Sequence, residues 1–508
     1  MFDGAALGEY YLNGAFVSEL VWKSLSTADY VSPIFTTFYI LSDVGNILLF
    51  NQSDALLLTR FTRATKKLLS WQTTAGSFDL TDYRATWYGL LAAYRILNDT
   101  AYLDAAEAGA QWFIKNAVST GRWLGVCDDT YLERDFNMAH AVGALLQLYG
   151  LTGTTAYLDA AIRTAQFYTL HIFNHPQVDA SVKKSAGAAI QDWQMSQVGL
   201  NFENAGYGGS VDYHGPITIS SHAGLFVRIY EHTQDELFLE LARTAARGRD
   251  AYVQGNTGGS SYPWHGWWHI GWLKDYFISL AHMLSDGKIR FPQGFMTSKV
   301  GSHVPYGFKS CTIYGNAVDL WQPRGLVNIG GSANVDWFTA RSTDGRKLFV
   351  VLLNELASAA TVTMTLDPRA LMASEVATWG TATALAGSVT RSGSNTWLVS
   401  VASEGLSVVE IPTMFAADPL GPAFRSYTVN GTSTAPTVSW SYWIAVESWV
   451  EWAVPGSGVW TSMLSSTNYT FSTTLDLGDV TASQVKVRIA TKSGSNAGVS
   501  AATYWTVN

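Results

Sequence analysis

The heptapeptide TAYLDAA occurs twice in the chain, at Thr100–Ala106 and again at Thr155–Ala161. Each copy follows, at the same distance, a tyrosine that ends an apolar run with helical spacing; these tyrosines are Tyr94 and Tyr149. The short polar segments in between carry side chains that cap helices and favour turns. Similarity repeated at a fixed interval is typical of stacked supersecondary units. The repeat therefore predicts helical hairpins, each made of a helix, a short turn and a second helix.

Two looser copies extend the repeat in both directions along the chain. Asp235–Ala242 follows Tyr230, and Asp54–Leu58 follows Phe50. Apolar residues with helical spacing therefore continue from about residue 32 to residue 284. The predicted helices are 32–50, 53–71, 82–97, 99–116, 136–150, 155–172, 186–200, 218–232, 235–253 and 266–284.

The connections between the predicted helices alternate in length. Within a hairpin they are short, and between hairpins they are long: Gln72–Thr81, Ala117–Asp135, Phe173–Ile217 and Gln254–His265. If the hairpins pack side by side into a ring, all the long loops leave at one end, beside the N-termini of the first helices. Helix N-termini favour anions, and loops on a rigid scaffold commonly carry function. We expect a cleft at this end.

The chain changes character at both ends of the helical region. Residues 1–27 contain a predicted hairpin around Asn13-Gly14. After Arg290 the apolar period becomes two, which predicts strands on either side of Asp344-Gly345 and further strands up to residue 411. The predicted domains are an N-terminal hairpin segment (1–27), an α/α toroid (28–290), a β-sandwich (291–415), and a C-terminal sandwich (420–508) that resembles fibronectin-type or immunoglobulin-like domains.

Composition excludes several functional classes. A chain of 508 residues is too long for one core, and its net charge of -8 argues against a general nucleic-acid binder. No apolar run is long enough to span a bilayer. The two cysteines, Cys127 and Cys311, fit no metal-ligand spacing and are expected as free thiols, and the histidines lack a zinc-binding pattern. We expect neither a metal nor a cofactor.

Aromatic residues exceed what a core of this size needs. The chain has 20 Trp, 24 Tyr and 23 Phe, and several of the tryptophans cluster in the predicted loops. Large helical rings and sandwiches also bury aromatic side chains. However, flat apolar faces beside polar groups suit the faces of sugar rings, and their position in loops favours sugar binding.

The loop before the fifth predicted helix is the most acidic part of the chain. Within eight residues it contains Asp128, Asp129, Glu133 and Asp135. An aspartate here can simply cap the next helix or solvate a turn. The same stretch also holds Trp123, Arg134 and His140, and a carboxylate with apolar and cationic neighbours can be tuned as an acid or a base. The loop is therefore a candidate catalytic segment.

Three other long loops carry candidate residues. In the first, Asp82 can cap a helix or serve as a catalytic carboxylate, with Arg84 holding a substrate carboxylate. The long Tyr/His-rich loop offers Glu203 and Asp212 for hydrolysis, or Tyr213 with His214 or His222 for proton abstraction from a sugar. Histidines 140 and 222 precede equivalent tyrosines by nine and eight residues, which favours a shared site over two structural histidines. The last loop has Trp264, His265 and Trp268 as candidate sugar contacts.

Hairpins in a ring, acidic and aromatic loops, and a following β-module together resemble the six-hairpin α/α-toroid carbohydrate enzymes. Within that group, Cys127–Tyr131 is similar to the Asp-Asp loop of the unsaturated glucuronyl and rhamnogalacturonyl hydrolases and of related uronic-acid-specific glycosidases. The resemblance covers about residues 30–413. It implies that an aspartate of this loop is the general acid and base: Asp129, or Asp128 if the register differs. The extra β-module and the Tyr/His-rich loop depart from this pattern and also suit toroid-plus-sandwich polysaccharide lyases.

The leading hypothesis is an exo-acting glycoside hydrolase of the β-glucuronidase or unsaturated uronyl hydrolase type, acting on a glycan that contains glucuronic acid. Asp129 is the expected proton donor, with Asp82 or Glu203 as the second carboxylate. The expected substrate contacts are Arg84, Asp128, Arg134, His140, Tyr207, His214, Trp264, His265 and Trp268.

Two alternatives remain open at this point. One is a polysaccharide lyase that uses Tyr213 and a histidine such as His222. The other is a non-enzymatic glycan-binding or virion-surface protein, since the terminal modules suit attachment. In each case the partner is a polysaccharide or oligosaccharide, and the terminal modules are expected to support a homo-oligomer or attachment to a larger assembly. The expected location is extracellular, periplasmic or virion-associated.

Overall fold

The computed structural model divides the chain into two compact units, Met1–Lys309 and Ser310–Asn508. In the first unit it describes residues 41, 42, 44, 45, 48, 55–78, 83–123, 136–172, 174, 182–185, 188–191, 199–202, 218–220, 222–248 and 269–291. In the second it describes residues 311–321, 325–332, 334–367, 379–413, 424–431, 434–480, 484–493, 496–499 and 503–506.

The first unit consists mainly of helices. Residues 41, 42, 44, 45 and 48 are helical. The helices with described bounds are α1 (Ala55–Trp71), α2 (Tyr88–Leu97), α3 (Thr100–Phe113), α4 (Phe136–Thr152), α5 (Thr155–Thr169), α6 (Ala223–Thr233), α7 (Glu236–Gly248) and α8 (His269–Leu284). A π-helical turn, Ile114–Val118, extends α3. Short strands follow α5 and α8: β1 (Val182–Ser185), β2 (Ala188–Gln191), β3 (Asn201–Phe202), β4 (Thr218–Ile219) and β5 (Ile289–Arg290).

The same tight turn joins three helix pairs: α2 to α3, α4 to α5, and α6 to α7. In each turn one residue adopts the left-handed conformation, with φ of 53°, 69° or 55°. Its N–H donates a 2.8 Å hydrogen bond to the carbonyl of the residue four positions earlier. The left-handed residues are Asn98, Gly153 and Gln234, and the acceptors are Tyr94, Tyr149 and Tyr230. The predicted repeat of helical hairpins is therefore confirmed.

The repeated heptapeptide forms the start of α3 and of α5, and its tyrosine packs against the preceding hairpin. Tyr102 on α3 accepts a hydrogen bond from Thr65 on α1, at 3.3 Å. Tyr157 on α5 donates one to Glu107 on α3, at 3.0 Å. In the third copy Phe238 occupies the equivalent position and packs on the ring of Phe226 instead. In its two exact copies the repeat thus links the second helices of successive hairpins.

The first helices of the hairpins lie side by side and parallel. Between α6 and α8, Gly224 meets Asp275, Arg228 donates to Ser279 at 2.6 Å, and Glu231 lies 3.7 Å from His282. These three pairs have the same sequence separation, as parallel helices in register require. Gln147 on α4 bonds two side chains of α2, and the Tyr149 ring of α4 contacts the His232 ring of α6 at 5.4 Å. The predicted side-by-side packing of hairpins is present, and closure into a toroid stays a prediction.

Some predicted helix boundaries are wrong. The predicted helix 186–200 is contradicted by β2, which pairs antiparallel with β1. Ser185 lies opposite Ala188, so only two residues connect the strands, and Gly187 is a residue type that such a tight hairpin favours. The helix predicted at 218–232 begins only at Ala223, because the β-branched Thr218–Ile219 pairs with Asn201–Phe202. The N-terminal hairpin predicted within 1–27 lies outside the described residues.

The second unit begins with a β-sandwich. Its strands are β6 (Cys311–Ile313), β7 (Asn316–Leu320), β8 (Val327–Gly330), β9 (Val335–Ser342), β10 (Lys347–Asn354), β11 (Ala360–Leu366), β12 (Thr383–Ala386), β13 (Ser388–Arg391), β14 (Thr396–Val401) and β15 (Leu406–Pro412). One sheet has the order β12-β15-β10-β9-β7-β6 and the other β13-β14-β11-β8. Apolar residues of both sheets form one buried core. The hairpin predicted across Asp344-Gly345 is present as β9 and β10.

A third sheet forms the C-terminal part of this unit. Its strands are β16 (Phe424–Gly431), β17 (Pro436–Ala453), β18 (Thr461–Thr474), β19 (Gln484–Ser493), β20 (Asn496–Val499) and β21 (Thr503–Thr506). Strand β17 pairs with β18 along both halves, but its first half also pairs with β16 and its second half with β19. A register shift between Ser441 and Val446 separates these halves. The fibronectin-type class stays a prediction.

The sandwich and the C-terminal sheet have separate hydrophobic cores that share no residue. We therefore expect a chain that ends near residue 415 to keep the sandwich and the helical unit folded, and to act almost normally on a small soluble substrate. Thermal unfolding and near-ultraviolet circular dichroism of the shortened protein test this. Loss of cooperative unfolding in that protein would mean that the C-terminal sheet belongs to the same folding unit.

Candidate active site

Four candidate loops lead into the parallel first helices. The acidic loop ends at Phe136, where α4 starts, and the loop with Arg84 leads into α2. The Tyr/His-rich loop leads into α6, and the tryptophan-rich loop leads into α8. Since these helices are parallel neighbours, their N-termini lie at one end, opposite the tight turns. Residues more than a hundred positions apart in sequence are therefore connected to the same end of the helical unit.

Three of the candidate residues are described by the structure, and the others are not. The three are Arg84, His140 and His222. Those that lie outside the described residues are Asp82, Asp128, Asp129, Arg134, Glu203, Tyr207, Asp212, Tyr213, His214, Trp264, His265 and Trp268. Their roles remain predictions from the sequence.

His222 lies directly before α6 and is fully buried. Its Nε2 lies 2.8 Å from the carbonyl oxygen of Gly199. Because a carbonyl oxygen can only accept, Nε2 is the protonated ring nitrogen and donates the hydrogen bond. The rings of Tyr168 and Phe226 pack on the imidazole at 5.2 and 4.9 Å. Burial lowers the pKa of His222 to about 3. A neutral imidazole fixed in this way fits a structural role better than the catalytic role predicted for it.

His140 lies in the second turn of α4 and is also buried. Burial lowers its pKa to about 3, so its side chain is neutral at physiological pH. Neither this histidine nor His222 can then offer a positive charge to a sugar carboxylate. Their matching positions in the repeat reflect equivalent packing of α4 and α6 in the interior of the helical unit.

Arg84 and Trp123 lie next to the undescribed parts of two candidate loops. Arg84 is 4% exposed and stands four residues before α2. A buried guanidinium needs compensating polar groups or charges, as an internal ion pair or a closed substrate pocket would supply. Trp123 is buried against the ring of Phe167, at 4.9 Å, so its apolar surface packs α5. Arg84 makes interactions within the protein, and its role in holding a substrate carboxylate stays a prediction.

A buried ion pair that was not predicted from the sequence joins α6 and α8. Arg228 contacts Asp275 through two hydrogen bonds, of 2.7 and 3.1 Å, and also donates to Ser279 at 2.6 Å. Burial raises the pKa of Asp275, and the Arg228 guanidinium opposes this shift. Asp275 is the one acidic residue in the sequence of α8, and this is the signal that could have revealed the pair. The pair fixes α6 against α8, two of the helices whose N-termini lie at the candidate site.

Within the described ranges, no group of three His, Cys, Asp or Glu residues could hold a metal ion. No helix in those ranges is both long and apolar enough to cross a membrane. Cys311 is a buried thiol, and burial together with the nearby Asp319 raises its pKa to about 12.

The buried His222 predicts a specific pH dependence of stability. The unfolded chain binds a proton on this histidine below about pH 6.5, whereas the folded protein does so only near pH 3. The free energy of unfolding should therefore fall as the pH decreases through this window. His222→Gln keeps a hydrogen-bond donor for Gly199 but cannot bind this proton. Between roughly pH 6.5 and pH 4.5 we therefore expect the free energy of unfolding of the variant to fall by about 2–3 kcal/mol less than that of the wild type. Urea unfolding of both proteins at several pH values measures this, and parallel curves would contradict it.

No protein-family model matches the chain, and no curated protein matches it. Solved structures do match. The GH76A alpha-1,6-mannanase from Salegentibacter sp. HEL1_6 is 14% identical, with a TM-score of 0.35 over 55% of this chain and 79% of that one. Unsaturated glucuronyl hydrolase from Bacillus sp. GL1 is 12% identical, with a TM-score of 0.32 over 49% and 74%. A GH127 beta-L-arabinofuranosidase from Geobacillus stearothermophilus T6 is 11% identical, with a TM-score of 0.32 over 86% of each chain.

These matches include the unsaturated glucuronyl hydrolases, which are among the enzymes that the acidic loop resembles. A second unsaturated glucuronyl hydrolase, described as specific for heparin, is 15% identical and has a TM-score of 0.31. TM-scores this low leave the reaction and the substrate to be inferred from the residues of the chain itself.

Proposed function

We propose that the chain is a glycoside hydrolase that removes a terminal sugar from a glycan containing uronic acid. The observation that carries this proposal is the parallel packing of α2, α4, α6 and α8. The acidic loop, the loop with Arg84 and the tryptophan-rich loop each lead into one of these helices, which supports a shared site at their N-termini. Carboxylates, a cation and flat aromatic rings are the groups that hydrolysis of a charged sugar needs.

Hydrolysis of a glycosidic bond uses two carboxyl groups. We assign the proton donor to Asp129, which protonates the glycosidic oxygen as the bond to the sugar breaks. The second carboxylate, Asp82 or Glu203, either activates the attacking water or attacks the sugar carbon itself. The separation of the two carboxyl groups decides between these routes and thus the stereochemical outcome.

The substrate carboxylate is assigned to arginines at this end. Arg84 precedes α2, and Arg134 precedes α4 by two residues. Both positions adjoin helix N-termini, whose partial positive charge also favours an anion. Trp264 and Trp268 are assigned to stacking on sugar rings. The buried, neutral His140 and His222 hold the helices in place and do not contact the substrate in this proposal.

Product analysis with the full-length protein tests the reaction type. We expect incubation with unsaturated and saturated glucuronic acid oligosaccharides to release a monosaccharide with the addition of one water, as mass spectrometry would show. A new double bond that absorbs in the near ultraviolet would instead indicate a lyase and would move the chemistry to Tyr213. If neither product forms with any acidic oligosaccharide, the hydrolase proposal is wrong and the non-enzymatic glycan-binding hypothesis replaces it.

A further inference from the structure

The outward face of the C-terminal sheet carries tryptophans and charged residues in a defined register. On β17, Trp449 and Glu451 point away from the core that Val450 enters. On β19, Arg488 lies opposite Glu451, and the small Ala490 lies opposite Trp449. These positions form a surface of three strands, with Ser462 of β18 on the other side of Glu451.

Arg488 is held in place by two neighbours on this face. Its Nε donates a hydrogen bond to Glu451 Oε2 at 2.7 Å, and its guanidinium carbon lies 3.8 Å from the centre of the Trp460 ring. Among the described residues, neither Nη1 nor Nη2 has a hydrogen-bond partner. The side chain is 18% exposed. A guanidinium fixed in this way has two donors left for a group in solution, and their spacing matches a carboxylate or a sulfate.

Glu451 also fixes the neighbouring tryptophan. Its Oε1 accepts hydrogen bonds from Trp449 Nε1, at 2.9 Å, and from the Ser462 hydroxyl, at 3.3 Å. The ring of Trp449 is partly exposed although the indole N–H is already bonded. The flat apolar ring of Trp449 is therefore held next to the free donors of Arg488. A ligand that stacks on this ring does not have to break the hydrogen bond of the indole N–H.

The sandwich contains a similar pair in which the donors are already used. Arg391 lies over the ring of Trp397, at 5.8 Å. Its Nε donates to the carbonyl of Gly393 at 3.0 Å, and its Nη2 donates to that of Ser394 at 2.6 Å. Arg391 thus stacks on a tryptophan as Arg488 does, but the Arg488 pair leaves both Nη groups for an external acceptor.

We propose that this face of the C-terminal sheet is a second, non-catalytic binding site for an acidic glycan. The anionic group of the sugar accepts both Nη donors of Arg488, and the face of a sugar ring stacks on Trp449. Lys486 and Lys492 occupy outward positions on either side of Arg488 along β19. With Arg488 they give this face three positive charges against the two negative charges of Glu447, opposite Lys492, and Glu451, so that its net charge favours an anion. The site goes beyond the proposed hydrolase activity and does not depend on it.

Native gel electrophoresis of the full-length protein in gels containing a polysaccharide tests this site. The probes are polygalacturonate, dextran sulfate and neutral dextran, so that carboxylates, sulfates and uncharged sugars are compared. We expect one acidic polymer to retard the wild type and neutral dextran to leave it unchanged. Stronger retardation by polygalacturonate identifies a uronic acid as the anionic group, and stronger retardation by dextran sulfate identifies a sulfated sugar.

Arg488→Lys keeps the charge but removes the paired donors, so we expect it to weaken retardation by about tenfold. Arg391→Lys is the matched control and should behave as the wild type does. Trp449→Leu, which leaves the ion pair intact, should weaken binding as well, and thermal unfolding verifies that each variant is folded. Equal retardation of the Arg488 and Arg391 variants would overturn the proposal. The proposal would also be overturned if no acidic polymer retards the wild type. In that case, self-association of the wild type in sedimentation would indicate that this face binds a second copy of the chain instead.

Discussion

Replacing Asp129 by asparagine is expected to lower kcat on a glucuronic acid oligosaccharide by about 10²–10⁴-fold, with almost no change in melting temperature. Asparagine preserves the shape of the side chain but has no proton to transfer, and general acid catalysis typically contributes a factor of this size. Asp129 directly follows Asp128, and we expect like charges this close in sequence to favour the protonated form of one of them, as an acid requires. Steady-state kinetics on purified protein measure the effect.

Asp128→Asn is the matched control for this experiment. If Asp128 only binds substrate, its replacement should raise KM and leave kcat within about tenfold of the wild type. A loss of kcat in that variant, with normal turnover by Asp129→Asn, would shift the acid to Asp128. If Asp129→Asn is fully active while Tyr213→Phe is inactive, the enzyme is a lyase.

Replacing Asp275 by alanine is expected to lower the free energy of unfolding by about 3–5 kcal/mol. The change leaves the Arg228 guanidinium in the interior with Ser279 as its remaining hydrogen-bond partner, and an uncompensated buried charge is strongly destabilising. The side chains of Arg228 and Asp275 are only 11% and 6% exposed, so water compensates the lost carboxylate poorly. Denaturant unfolding of the full-length protein, followed by helical circular dichroism, measures this difference.

The pair of Arg243 and Glu240 provides a control in which the arginine is equally buried, at 11% exposure, but the carboxylate is not. Its atoms are 2.9 Å apart, but the Glu240 side chain is 56% exposed. Glu240→Ala should therefore change the free energy of unfolding by less than about 1 kcal/mol. Similar losses in both variants would show that burial does not decide the strength of the Arg228–Asp275 pair.

Repeats and periodicity in the sequence predicted the helical hairpins well. The tyrosines that end the first helices accept the hydrogen bond of each turn, and the strands on either side of Asp344-Gly345 pair as expected. These features depend on residues close together in sequence, whose spacing and turn chemistry can be read directly. The helix predicted at 186–200 is wrong because its alanine-rich stretch pairs with an adjacent strand, and helical spacing alone gives no information about such a pairing.

The sequence by itself determined the order of helical and β-rich regions, the hairpin repeat and the position of the acidic loop between two hairpins. Only the tertiary structure revealed the burial of the histidines and the partners of the charged residues between helices. His222 is a sequence candidate for proton transfer, but its burial and its bond to Gly199 favour a neutral packing role. Likewise, the Arg228–Asp275 pair and the Arg488 site join residues that are 47 and 37 positions apart. Burial and partners of this kind depend on how distant elements pack, which local spacing in the sequence does not specify.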